Sequence, residues 1–127
     1  MVNPVVFLSF LAVNQPEPIV VRELHLASAV PGPSNSQFNV YVNGKSARKV
    51  TSTQKLNLTE ALRRGLNKVE VHFDAWTSKL SLFHPSTLKL TDGPAKIGRE
   101  LLSIRANIDN PRGVHRLWIR FEPSTPA

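Results

Sequence analysis

Residues 38–45 read Phe-Asn-Val-Tyr-Val-Asn-Gly-Lys, and residues 67–73 read Asn-Lys-Val-Glu-Val-His-Phe. Both stretches alternate with period two. Phe38, Val40 and Val42 therefore share one face of a strand, and Val69, Val71 and Phe73 share one face of another. A strand that buries one face and wets the other is the unit of an antiparallel sandwich. Asn43-Gly44 follows the first strand directly, and both residue types tolerate the positive φ that a two-residue hairpin turn requires.

The same alternation recurs outward from this centre. Leu117, Ile119 and Phe121 alternate with Arg116, Trp118 and Arg120. Ile19 to Leu26 reads as a further strand with Val20, Leu24 and Leu26 on one face. Leu80–Phe83 and Leu88–Leu90 are shorter and flank Pro85, which marks an edge, a bulge or a break. The apolar run Val5–Val13 lacks a preceding Lys or Arg and is far shorter than the roughly 20 residues that cross a bilayer. It reads as a core strand, and no membrane association is expected. Asp92-Gly93-Pro94 is a turn and residues 31–36 a loop.

Two segments have helical character. Asn57–Gly65 permits one or two turns, with Asn57 or Thr59 as N-cap, Arg63 and Arg64 in the last turn and Gly65 as the stop. Residues 97–108 fit both periods: Leu101, Ile104 and Ile108 make a helical stripe, whereas Leu102, Ile104, Ala106 and Ile108 make a strand face. The expectation is a mainly β protein, a single jelly-roll-like β-sandwich over residues 1–121 with one or two short helices, followed by a flexible tail at 122–127.

Composition narrows the function classes. The chain has 127 residues, 41% hydrophobic and 20% charged, which suits one folded domain. It has no cysteine, so disulfides, thiolate zinc sites and a cysteine nucleophile are excluded. His25, His72, His84 and His115 lie at no ligand spacing, and the nine acids are scattered singly. No nucleophile elbow or phosphate-binding glycine loop occurs. Neither a catalytic site nor a metal or cofactor is expected.

Sixteen Lys and Arg against nine Asp and Glu give a net charge of +7, which attracts acidic proteins or nucleic acid. Arg116, Trp118 and Arg120 project from one strand face, with Arg112 just before them. An aromatic between guanidinium groups can stack a base, a sugar or a protein side chain; equally, the arginine stems can cover the ring as an ordinary outer face. Arg63, Arg64 and Lys68 form a secondary basic surface, and Lys45, Arg48 and Lys49 lie beyond the Asn-Gly turn.

The central stretch also carries a resemblance. Val40-Tyr-Val-Asn-Gly44, then Leu56-Asn-Leu-Thr59, then Asn67-Lys-Val-Glu-Val-His-Phe73 with Trp76 beyond resemble the PINIT domain of Siz/PIAS-type SUMO ligases. Phe7–Gln15, Val20–Leu26, Leu90-Thr91, Leu101-Leu102 and Ile108-Asp-Asn-Pro111 follow in similar order. Lys55 stands where that family's name motif has proline, and the usual cysteine is missing from Val20–Leu26. The resemblance implies a nuclear, non-catalytic module that selects protein partners or substrates, since the ligase's zinc-dependent step needs cysteine. Its contact surface would be Arg112, Arg116, Trp118 and Arg120. Leu58-Thr59, Leu62, Gly65, Asn67, Val69 and Val71 also resemble the jelly-roll sugar-binding domains of family 2 glycoside hydrolases. That alternative implies a carbohydrate-binding module, and a basic nucleic-acid-binding β-domain is a third reading.

Overall fold

A computed structural model describes residues 17–31, 36–74, 85–107 and 109–123. The expected strands at Val5–Val13 and Leu80–Phe83, together with Trp76, His84 and most of the tail, lie outside them. Among the described residues nine strands form two packed sheets: β1 (Ile19–Val21), β2 (Leu24–Ala29), β3 (Gln37–Val42), β4 (Lys45–Val50), β5 (Gln54–Asn57), β6 (Gly65–Asp74), β7 (Ser86–Asp92), β8 (Arg99–Ala106) and β9 (Arg112–Phe121). One sheet runs β1-β9-β6-β3-β4 and the other β5-β2-β7-β8. The fold is the mainly β sandwich that the alternation implies.

The core lies where the two inner faces meet. Phe38, Val40, Val42, Val69, Val71 and Ile119 face Leu24, Leu26, Leu88, Leu90 and Ile104 across it, all nearly or fully excluded from solvent. Burial of each such side chain stabilises the fold by about 1.5–3 kcal/mol. The β3–β4 hairpin turns at Asn43 and Gly44, with φ of 52° and 83°. Within residues 97–108, Arg99–Ala106 form strand β8, which pairs antiparallel with β7 and buries Ile104 and Ala106 on the strand period, while Ile97 and Gly98 belong to the preceding turn and Ile108 lies outside the described residues.

Two local expectations are corrected. Ile19–Leu26 is two strands in different sheets, because the backbone N–H groups of Arg22 and Glu23 both donate to Asp92 Oδ1 (3.0 and 3.1 Å) and the chain turns there. The switch inverts the phase of β1, so Val21 is buried and Val20 is 45% exposed on the outer face. The helix at 57–65 is a single 3-10 turn, Thr59–Ala61, preceded by Leu58 without a side-chain cap. Asn57 Oδ1 instead accepts the Thr59 N–H (2.9 Å), and the Thr59 hydroxyl accepts the Leu24 N–H (2.9 Å). Arg63 and Arg64 thus lie beyond the helical turn and do not complement its dipole, and Gly65, at φ 92°, opens β6.

Asn67 governs this corner. Its side chain is fully buried in β6, and Oδ1 accepts from Asn43 Nδ2 (2.9 Å) and the Arg63 N–H (3.0 Å). Nδ2 donates to the carbonyls of Arg63 (2.8 Å) and Gly65 (2.9 Å). Two donors and two acceptor positions are all used. Asn67→Ala is expected to lower unfolding free energy in urea by roughly 2–4 kcal/mol. Asn67→Asp, which keeps the acceptors and loses both donors, is expected to be destabilised as well; wild-type stability in Asp would show that the donors are dispensable.

Candidate functional site: the outer face of the five-stranded sheet

The sheet period sends alternate residues of β6 and β9 outward. On β9 these are Arg112, Val114, Arg116, Trp118 and Arg120, all exposed; on β6 they are Leu66, Lys68, Glu70, His72 and Asp74. The structure therefore places the four residues Arg112, Arg116, Trp118 and Arg120 on one face. The antiparallel register then sets their neighbours: Asp74 opposite Arg112, His72 opposite Val114, Glu70 opposite Arg116, Lys68 opposite Trp118 and Leu66 opposite Arg120. On the other flank, Val20 of β1 sits beside Arg120.

These pairings divide the basic residues into two groups. Arg112 Nε donates to Asp74 Oδ1 at 3.1 Å, and Arg116 Nε to Glu70 Oε2 at 2.7 Å. Lys68 Nζ approaches Glu70 Oε1 at 3.7 Å. Arg120 and Arg64 make no ion pair among the described residues. Arg64 and Arg120 line one open cleft of about 290 Å³, together with Gly65, Phe121, Glu122 and Pro123. The secondary basic group thus separates: Lys68 joins the centre of the face, Arg64 joins Arg120 at its end, and Arg63 Nε donates to the Leu66 carbonyl (3.2 Å).

An apolar patch surrounds the unpaired end. Val20, Leu66 and Trp118 are 45%, 39% and 42% exposed. Leu66 and Val20 belong to the face although the sequence reading did not select them. Leu66 follows from the outward phase of β6, whereas Val20 depends on the sheet switch at Arg22–Glu23. Glu70 and Asp74 could be assigned to their arginines only once the β6–β9 register was known.

Among the described residues no three His, Asp or Glu side chains cluster as a metal site would need, and no helix is long and apolar enough to cross a membrane. No family model, curated protein or solved structure matches this chain.

The hydrogen bond from Arg116 holds the Glu70 carboxyl below its ordinary pKa; partial burial opposes this, and the charges of Lys68, Arg116 and His72 reinforce it. The folded chain therefore binds this proton less readily than the unfolded chain, so the pairing favours folding above the ordinary carboxylate range. That contribution fades as pH falls through the folded-state value. Arg116→Ala is expected to move the Glu70 midpoint upward in a carboxyl carbon-13 NMR titration, and its stability deficit should shrink on acidification. An unmoved midpoint would rule out Arg116 as the cause.

Proposed function

We propose that this chain is a non-catalytic protein-interaction module that holds its partner on the outer face of β1, β9 and β6. One observation carries this reading. Five large hydrophobic side chains stand exposed among the described residues, and four of them, Val20, Leu66, Val114 and Trp118, project from this face. Apolar side chains gathered on one face and interleaved with arginine have the composition of an interface centre. Trp and Arg are also the residue types that most often carry binding energy. The net charge of +7 favours an acidic partner. The resemblance to PINIT domains supports the same reading, with partner or substrate selection in a nuclear SUMO-ligase-type protein as the role.

The test uses the intact chain and its Trp118→Asp variant as baits in nuclear extract, followed by titration of each recovered protein into nitrogen-15-labelled chain. A true partner is expected to broaden amides of β1, β6 and β9, and Trp118→Asp to weaken it at least about tenfold with the amide spectrum otherwise retained. Broadening confined to the β5-β2-β7-β8 sheet would overturn the assignment of the face. Trp118-dependent capture on a glycan array without a protein partner would transfer the face to carbohydrate. Oligonucleotide binding that falls steeply with salt would transfer it to nucleic acid.

A further inference from the structure

We infer that the cleft between Arg64 and Arg120 is a carboxylate-binding site, which receives an acidic side chain of a partner whose flanking residues are apolar. This deepens the reading of the outer face and rests on it. The two arginines come from different elements, Arg64 from the loop that Asn67 anchors and Arg120 from the end of β9, yet they line the same cleft. Neither makes an ion pair among the described residues, in contrast to Arg112 and Arg116 a few residues away. Guanidinium groups bind carboxylates through paired, charge-assisted hydrogen bonds.

The charge count selects a singly charged anion. Arg64 and Arg120 contribute two positive charges, and Glu122 in the same cleft one negative, leaving a single positive charge to be matched. One carboxylate neutralises the cleft. A doubly charged phosphate would overcompensate it and meet Glu122 at close range. The surroundings add a second criterion: Leu66 and Val20 flank Arg120 on its two neighbouring strands, both exposed, and Trp118 lies one outward position away on β9. An acidic residue between aliphatic ones would seat its carboxylate in the cleft and cover this patch. Gly65 lies at φ 92°, where an added side chain would be strained, so the backbone of the cleft stays open.

The probe is a capped heptapeptide, Ser-Leu-Val-Glu-Val-Leu-Ser, compared with versions carrying Gln or phosphoserine at the centre and with a twelve-nucleotide oligothymidylate. Binding is read from the arginine Nε–H resonances of the full chain. The glutamate peptide is expected to shift Arg64 and Arg120 saturably and to bind about tenfold or more tightly than the glutamine peptide. Arg64→Ala and Arg120→Ala should each abolish that discrimination, and Arg116→Ala should preserve it.

Equal binding of the Glu and Gln peptides, no shift with any peptide, or discrimination that survives both arginine variants would overturn the proposal. Tighter, Arg64- and Arg120-dependent binding of phosphoserine or oligothymidylate would replace carboxylate with phosphate. Failure of the cleft alone is distinguishable from failure of the face. If Trp118→Ala weakens the Glu and Gln peptides alike while the arginine variants change nothing, the face stands without the cleft.

Discussion

The buried amide of Asn67 is the constraint on which this end of the molecule depends. The chain leaves the five-stranded sheet after β4, crosses to the other sheet for β5, and returns through the 3-10 turn to begin β6. A return of this kind leaves backbone groups without strand partners, and a buried unpaired group costs about 1–3 kcal/mol. Asn67 satisfies the N–H and C=O of Arg63 and the C=O of Gly65, while its bond to Asn43 ties the loop to the β3–β4 hairpin. Asn43 in turn exchanges hydrogen bonds with the backbone of Lys68, through its own N–H (2.8 Å) and its side-chain oxygen (3.0 Å). The positions of Arg63, Arg64 and Leu66 follow from this network, so a residue buried in the core sets part of the outer surface.

The outer face shows how cross-strand register converts a basic composition into a local pattern. Exposed ion pairs contribute little stability, commonly less than about 1 kcal/mol. Their effect here is to commit Arg112 to Asp74 and Arg116 to Glu70, so that the centre of the face is nearly neutral. Arg120 faces Leu66 and Val20 instead, neither of which can accept a hydrogen bond through its side chain. The same strand therefore carries engaged and available guanidinium groups only four residues apart. A net charge of +7 does not distinguish these two situations; the register does.

β3, β6 and β9 were legible because a half-buried strand must alternate, and the Asn43-Gly44 turn because few residue pairs adopt positive φ twice; β5, four residues with Leu56 as their single apolar side chain, was not. The ends of β2, β8 and the 3-10 turn were less legible, for reasons visible in particular residues. The break at Arg22–Glu23 is made by Asp92, about seventy positions away in sequence, and no local pattern announces it. Residues 99–106 fit helix and strand until pairing with β7 decides between them. The resemblance pattern has a physical content of its own. Leu58, Leu62, Val69 and Val71 are buried, Thr59 binds Leu24, Gly65 takes positive φ, and Asn67 closes the corner. Each of them serves the passage of the chain between the two sheets. Such residues report the fold, and the outward residues of the same strands are free to vary without changing it.

The edges of the two sheets differ in kind from this outer face. Among the described residues four strands border the two sheets: β1 and β4 in one, β5 and β8 in the other. An open edge invites pairing with another chain unless it is short or charged. β4 carries Lys45, Arg48 and Lys49, β5 carries Lys55, and β8 carries Arg99, Glu100 and Arg105, while β1 is only three residues long. Each edge thus has one of the features that discourage strand addition. Among the described residues, the outer face of β1, β9 and β6 has no such feature at its Arg120 end, where Val20, Leu66 and Trp118 surround a cation without an ion pair. Association there would remove apolar surface from water without requiring any backbone hydrogen bond to be remade, which leaves the sandwich intact as the scaffold that positions the contact.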